Sequence, residues 1–239
     1  MRFRKVMAIL VMTAFALSLN PVAEVSADTE QKVICIDPGH QTNANLDQEP
    51  IGPGASETKY KVTGGTTGCV THVPEYKLVL KVAKKLKKEL KARGYKVVMT
   101  RTKNNVNISN RERADIANAA NADAFIRIHA DAYDNSSVKG ASVCAPTSNN
   151  QYLTKRIRKK SQSFSKKVLD AFCKATGAKK RGIIYTDQMS GINWCEVPVT
   201  IIEMGFMSNP DEDRLMQTDD YQEKMVDGMA DGIDDFLGV

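Results

Sequence analysis

VICIDPGH, residues 33–40, opens with the apolar run Val33 to Ile36 and ends on a histidine. A short apolar run that stops at a Pro-Gly turn is typical of a buried strand in a parallel sheet. His40 follows that turn directly, and the whole chain has only three histidines. The stretch therefore predicts a central strand whose carboxyl end presents a side chain suited to metal binding or catalysis.

Strand and helix patterns alternate along the rest of the chain. Strands are predicted over residues 32–36, 96–100, 124–128, 141–145, 182–186 and 197–204. Helices are predicted over residues 74–93, 109–118, 151–176 and 219–237. This alternation indicates an α/β fold: a single-domain sandwich with a mostly parallel, twisted sheet of about six strands flanked by helices.

Residues 41–74 are rich in Gly, Thr, Asn and Pro and carry no clear periodicity. We therefore expect a loop over this whole stretch. A loop of that length inside a compact domain is usually functional, so it is a candidate wall of a binding site.

Residues 1–27 have the three parts of a secretory signal peptide. Met1 to Lys5 carry three positive charges, and residues 6–19 form an apolar run too short to span a bilayer comfortably. Small residues precede a predicted cleavage after Ala27; an uncleaved membrane anchor is the alternative. The mature protein would then be one domain, residues 28–239, secreted and without a stable membrane anchor.

The net charge narrows the choice of partner only slightly. It is +6 for the full chain, and loss of residues 1–27 reduces it to +4. A mildly basic exported protein could meet anionic wall polymers, anionic lipid or nucleic acid. No interleaving of arginine with aromatic residues and no nucleic-acid motif is present, so nucleic acid is not an expected partner.

The chain has five cysteines and no CxxC pair, which does not indicate a disulfide framework for a domain of this size. Cys35 lies inside the first predicted strand and is expected to be a small core residue. Whether Cys69 pairs with Cys195 stays open.

Three polar side chains are predicted at the carboxyl ends of strands: His40, His129 after residues 124–128, and Glu203 within residues 197–204. The carboxyl ends of parallel strands share one edge of the sheet, where α/β proteins build their sites. Glu75, at the start of a predicted helix, is a fourth candidate. Neutral imidazole and carboxylate are good zinc ligands, and a catalytic zinc takes three protein ligands and a water.

Two ligand sets fit the spacing. The first is His40, Glu75 and His129. The second uses the HVPE stretch, with His72 and Glu75 three residues apart, together with His129. A pair with HxxE spacing and a distant histidine is the arrangement of zinc carboxypeptidases. Pro74 is expected to begin the helix at Glu75, which leaves His72 on a loop of unfixed direction.

Four stretches together resemble a known family. They are IDPGH; PEYKL, which opens a helix ending KARGYKVVMTR; RERADIANAANADAFIRIHAD; and VPVTIIEMGFMSNPDED. In order and spacing they are similar to the zinc-dependent N-acetylmuramoyl-L-alanine amidases of the Amidase_3 family, over about residues 32–237. The resemblance implies one zinc ion per chain, held by His40, Glu75 and His129, with Glu203 as the catalytic glutamate.

The resemblance also implies a function. The expected reaction is hydrolysis of the amide between N-acetylmuramic acid and the first L-alanine of the stem peptide, by a monomer that acts on peptidoglycan in the cell wall. A zinc peptidase built on His72, and a non-catalytic wall-binding protein that keeps the fold, are the alternatives.

The chain departs from the family's usual pattern at two positions beside the proposed ligands. Family members usually have serine at the position of Arg127 and often asparagine at that of Asp131, and the loop before Glu75 is shorter in small members. None of these positions is a proposed ligand, so activity is still implied. We expect Asp131 and residues 45–74 to line a distinctive substrate cleft.

Overall fold

The computed structural model describes residues 31–239. The strands are β1 (Val33–Pro38), β2 (Asn45–Pro50), β3 (Thr58–Val62), β4 (Lys96–Met99), β5 (Ala124–Asp131), β6 (Ala141–Ala145), β7 (Lys180–Tyr185) and β8 (Val199–Phe206). The helices are α1 (Glu75–Ala92), α2 (Asn110–Ala119), α3 (Lys155–Thr176), α4 (Ser190–Asn193), α5 (Pro210–Gln217) and α6 (Asp219–Leu237). The signal peptide predicted over residues 1–27 lies outside the described residues.

Six strands form one sheet in the order β4-β1-β5-β8-β6-β7. All neighbours run parallel except β6, which is antiparallel to β8. The predicted α/β fold, with a mostly parallel sheet of six strands between helices, is confirmed. The register sets Pro38 opposite Ile128 and His129 opposite Glu203, so the ends of the three central strands are level.

One face of the sheet carries the larger apolar core, under α1, α3 and α6. The apolar residues that recur at helical spacing in α1 face the sheet: Leu78, Val82, Leu86 and Leu90 are all buried. Helices α3 and α6 pack unusually closely, because a Cβ at Gly232 would lie 2.5 Å from the Cα of Val168. The lysines of α1 remain on the outer surface, as amphipathic helices require.

The opposite face is covered by α2 and α4. Here Cys35, Phe125 and Val199 of the central strands pack with Ala114 and Ile192 of the two helices. Helix α2 begins with a capping box, in which the Ser109 hydroxyl accepts from the Glu112 N–H while the Glu112 carboxylate accepts from the Ser109 N–H. This start fixes Asn110 and Arg113 against the ends of the strands.

A buried ion cluster joins β1, β5 and α2. The carboxylate of Asp37 accepts from Arg113 Nη1 at 2.6 Å and from Arg127 Nε at 2.9 Å, and all three side chains are almost completely buried. Burial would raise the pKa of Asp37, but the charges of the two arginines and the hydrogen bond from Thr100 hold it well below its usual range. Asp37 is therefore an anion that the two guanidinium groups require.

Three sequence predictions were wrong in part. Residues 41–74 are not one loop, because β2 and β3 form an antiparallel hairpin within them. The sequence conceals the hairpin because its strands are polar and mostly exposed, although Glu49 and Val62 are buried. Two helices, α4 and α5, were not predicted, and α3 begins four residues later than expected, at Lys155.

All five cysteines lie within the described residues and are free; Cys69 is exposed and Cys195 buried, so they do not pair. Cys35 is a core residue, as predicted. Over residues 31–239 no helix is long and apolar enough to cross a bilayer.

Replacing Asp37 by asparagine is expected to destabilise the fold strongly. The change leaves two buried guanidinium groups without a counter-charge, which costs about 3–5 kcal/mol in the free energy of unfolding. Urea denaturation followed by circular dichroism measures it. Asp115→Asn is the control, because Asp115 forms only an exposed pair with Arg111 at 3.6 Å, and should cost less than about 1 kcal/mol. Equal losses in the two variants would contradict the role given to Asp37.

Candidate active site

His129 and Glu203 lie side by side at the edge of the sheet. They are register partners on β5 and β8, so their side chains point to the same face. Immediately beyond this pair the register shifts, and β8 has one residue more than β5 before Asp131 meets Phe206. Such a bulge ends regular pairing and redirects the strand, which is common next to active sites.

His40 is held in the left-handed region, with φ of 57°. A non-glycine residue there is uncommon and indicates a local constraint. The constraint is visible on both sides of the residue: Arg113 Nη2 donates to the His40 carbonyl, and His40 Nδ1 lies 2.9 Å from the carbonyl oxygen of Thr63. Donation from Nδ1 to that carbonyl leaves Nε2 as the free acceptor nitrogen.

Glu75 is the first residue of α1, and its carboxylate is almost fully buried. Oε1 accepts from the Ala130 N–H at 3.1 Å, and Oε2 accepts from the Thr66 N–H at 3.0 Å. Burial would raise the pKa of Glu75, but its contacts with His129 and His40 outweigh burial and keep the pKa below its usual range. The carboxylate is thus ionised and fixed in direction.

The donor atoms of these three residues converge. His129 Nδ1 lies 3.1 Å from both His40 Nε2 and Glu75 Oε1, and His40 Nε2 lies 3.3 Å from Glu75 Oε2. Tetrahedral zinc with bonds of ~2.0–2.1 Å needs donors about 3.3 Å apart. Burial lowers the pKa of His129, which favours the neutral imidazole that a metal requires. The triad therefore fits a divalent cation in size and in chemistry.

His72 does not belong to this group. It is exposed on the loop before α1, with φ of 55°, and the metal-competent cluster of the described residues consists of His40, Glu75 and His129. Of the two ligand sets open from the sequence, the structure assembles the first.

Two glycines make room for the ligands. A Cβ at Gly39 would lie 2.2 Å from Cε1 of His129, inside the space that the ring occupies. A Cβ at Gly65 would lie 2.6 Å from Glu75 Oε2, and Gly65 also has a positive φ of 75°. The Pro-Gly turn at the end of β1 thus leaves room for the ring of His129 and also sets the direction of His40.

Asp213 in α5 is a buried residue that sequence reasoning missed. Its carboxylate accepts from the backbone N–H groups of Val70 and Thr71, both at 2.8 Å, and from the Thr71 hydroxyl at 2.6 Å. It therefore anchors the loop that delivers Glu75. The NPDED stretch could have indicated this helix start: Asn209 caps α5, and Asp211 and Glu212 lie with Asp213 in its first turn.

Glu203 faces the cleft, and no hydrogen bond to its carboxylate occurs within the described part of the chain. Burial, with the negative charges of Glu75 and Asp131, raises its pKa well above the usual range, while Arg127 acts in the opposite direction. The two glutamates of the site thus have opposite pKa shifts, a pattern that is common where two carboxylates of one site differ in function.

The cleft beside the triad has a volume of about 600 Å³. The hairpin of β2 and β3 forms one wall and the segment around α4 the other; Lys59 Nζ donates to the Gln188 carbonyl at 2.7 Å and bridges them. Residues from the 45–74 segment line the cleft as expected, whereas Asp131 is not among its lining residues. The lining includes His40, Tyr60, Asn110, Arg127, His129, Cys144, Gly191, Ile201 and Glu203.

Fold and site together define an α/β enzyme with a candidate metal centre at the carboxyl edge of its sheet. A family model described as N-acetylmuramoyl-L-alanine amidase matches residues 34–235, and the chain belongs to this family, Amidase_3. The resemblance noted in the sequence is thereby confirmed, and the family is one of peptidoglycan amidases.

Individual relatives agree with the family assignment. The chain is 24% identical over 240 residues to N-acetylmuramoyl-L-alanine amidase AmiC of Neisseria meningitidis, covering 86% of this chain but only about half, 52%, of AmiC. It is 25% identical over 231 residues to amidase Rv3717 of Mycobacterium tuberculosis, covering 92% of each. The crystal structure of amidase Ami1 from Mycobacterium smegmatis is similar with a TM-score of 0.78 at 25% identity, over 87% of this chain and 97% of Ami1.

Gly39→Ala should weaken metal binding without unfolding the protein, because the new methyl group displaces the ring of His129. We expect a loss of metal affinity of roughly 10- to 100-fold, the range typical of changes around metal ligands. Titration with Zn²⁺ against a chromophoric chelator measures it. Gly64→Ala is the matched control, since no atom lies within 4 Å of a Cβ there. Unchanged affinity in Gly39→Ala would show that the ring does not depend on this space.

Proposed function

We propose that the protein is a zinc-dependent N-acetylmuramoyl-L-alanine amidase, with one zinc ion per chain held by His40, Glu75 and His129. The observation that carries the proposal is the convergence of His40, Glu75 and His129 in a member of this family: His129 Nδ1 lies 3.1 Å from His40 Nε2 and from Glu75 Oε1, and His40 Nε2 lies 3.3 Å from Glu75 Oε2. The substrate is peptidoglycan, and the bond broken is the amide between N-acetylmuramic acid and L-alanine.

When bound by His40, Glu75 and His129, zinc would supply Lewis-acid chemistry: it would lower the pKa of water to ~7 and polarise the scissile carbonyl. The protein's own residues do the rest. Thr63 and Arg113 keep His40 in place, and the Ala130 and Thr66 N–H groups keep both oxygens of Glu75 in place. These contacts mean that the ligands need little rearrangement to bind the ion.

Glu203 is the proposed general base and acid. Its carboxylate takes a proton from the attacking water as the new C–O bond forms, and it then gives that proton to the departing nitrogen as the C–N bond breaks. The products are a carboxylic acid on the muramic acid and a free L-alanine amine. Glu203 is suited to this because it lies beside His129 and its carboxylate has no competing hydrogen bond within residues 31–239.

Secretion and domain limits form part of the same proposal. Residues 1–27 act as the signal peptide, and residues 28–239 form the catalytic domain, which works as a monomer outside the cell on the wall. The substrate of the proposed reaction is extracellular, which is the compartment that the N-terminal sequence predicts.

Glu203→Gln should abolish hydrolysis while leaving zinc binding intact. The amide is isosteric with the carboxylate but does not accept the water proton, so the rate should fall by about 10²- to 10⁴-fold. Digestion of purified peptidoglycan, with mass spectrometry of released peptides that carry a free L-alanine amine, measures the rate. Glu223→Gln, at an exposed position of α6, should retain full activity. Wild-type rates in Glu203→Gln would contradict the assignment.

His40→Ala and His72→Ala separate the two ligand sets. Loss of one of three ligands should lower zinc content to well below one ion per chain in His40→Ala, whereas His72→Ala should keep one ion. Metal analysis after dialysis gives the readout, and circular dichroism checks that both variants are folded. Loss of zinc only in His72→Ala would favour the peptidase arrangement instead.

A further inference from the structure

The cleft extends well past the triad, and its floor is formed by an arginine. Arg127 lies two residues before His129 on β5, on the same face, and its side chain is 3% exposed. It lines the same cleft as Glu203 and His129. Burial of a charge is costly without a partner, and Arg127 has one in Asp37, so a ligand in the cleft could use only the part of the guanidinium group that Asp37 leaves free.

The guanidinium group is held in a fixed direction. Nε donates to Asp37 Oδ2 at 2.9 Å, and Nη2 donates to Asn110 Oδ1 at 2.7 Å. Nη1 has no hydrogen-bond acceptor among residues 31–239, and it packs against Gly191, where a Cβ would lie 1.7 Å from it. A side chain at position 191 would occupy the space of Nη1, so glycine here lets the guanidinium group take its place beside the cleft that it lines.

The charge of Arg127 is not fully balanced by its surroundings. Asp37 is shared between Arg113 and Arg127, so the cluster of three buried side chains carries one excess positive charge. Arg101, also buried, donates to the carbonyl oxygens of Pro38, Gly39 and Tyr76 rather than to a carboxylate. Glu203 of the same cleft is a further carboxylate near Arg127, and Arg127 acts on its pKa without a hydrogen bond between the two side chains. An anion that enters the cleft would therefore find a guanidinium group already fixed in direction.

We propose that Arg127 binds a carboxylate group of the stem peptide and makes the enzyme selective for substrates that carry one. The proposal rests on the amidase function proposed above. The Cα atoms of residues two apart on a strand are about 6.6 Å apart, so Arg127 and His129 line one cleft from neighbouring inward positions of β5. We therefore assign to Arg127 a carboxylate close to the scissile amide, on the second residue of the stem.

The test compares two synthetic muramoyl peptides that differ only in whether the second stem residue carries a free carboxyl group or its carboxamide. Wild-type protein should hydrolyse the free acid with a kcat/KM about 10-fold or more above that of the amide, mainly through KM, because an ion pair is replaced by a hydrogen bond from a charged donor to a neutral acceptor. Equal kcat/KM values would overturn the proposal. Hydrolysis of neither peptide, nor of whole peptidoglycan, would instead contradict the amidase function.

Two variants assign the selectivity to Arg127. Arg127→Met removes the charge and should bring the two substrates to the same kcat/KM, while Arg127→Lys keeps the charge and should retain part of the difference. A merely structural role would lower kcat for both peptides equally and leave their ratio unchanged. If Arg127→Met folds and still prefers the acid, the assignment is overturned. If Arg127→Met does not fold, Arg127→Lys decides: a ratio of kcat/KM for acid over amide that is as large as in the wild type overturns the assignment.

Discussion

The carboxylate of Asp37 is the point at which strand, helix and site are fixed to one another. It lies at the end of β1, three residues before His40, and its two arginine partners come from β5 and α2. Arg113 also donates to the carbonyl oxygens of Pro38 and His40 and to Gln41. The position of the turn after β1 relative to β5 therefore depends on one buried anion. Both guanidinium groups donate to the same carboxylate, so loss of Asp37 would leave two buried charges unpaired.

The long segment between β1 and α1 contacts two of the three triad residues, His40 after β1 and Glu75 at the start of α1. It provides the Thr63 carbonyl to His40 and the Thr66 N–H to Glu75, only three residues apart. Since Asp213 holds Val70 and Thr71 by their backbone N–H groups, α5 determines where this segment lies. Glu212 beside it accepts from the N–H groups of Phe206 and Gly140, tying the end of β8 to the loop before β6. The acidic turn after β8 thus supports the site without entering it.

Much of the fold and most of the candidate triad could be predicted from the sequence, for physical reasons. Buried strands such as β1 and β5 are apolar without interruption, and parallel pairing brings their ends to one edge, so His40 and His129 could be placed together before any coordinates. The choice between His40 and His72 could not be made from spacing alone, because the backbone direction at each depends on contacts with residues distant in the sequence. The hairpin of β2 and β3 was missed since its outward residues are polar on both strands. The roles of Asp213 and Arg113 depend on partners more than 70 residues away, which no local pattern contains.

The opposite pKa shifts of Glu75 and Glu203 follow from their surroundings rather than from their chemistry, which is identical. Glu75 receives backbone N–H groups on both oxygens and contacts two imidazoles, so its pKa is low and it stays an anion. Glu203 faces the cleft, has no hydrogen-bond donor within residues 31–239 and lies near the charges of Glu75 and Asp131, so desolvation and these charges raise its pKa. The pKa values of two carboxylates in one site diverge in this way when one carboxylate accepts hydrogen bonds and the other does not. The satisfied one is suited to hold a cation permanently, and the other to take up and release a proton.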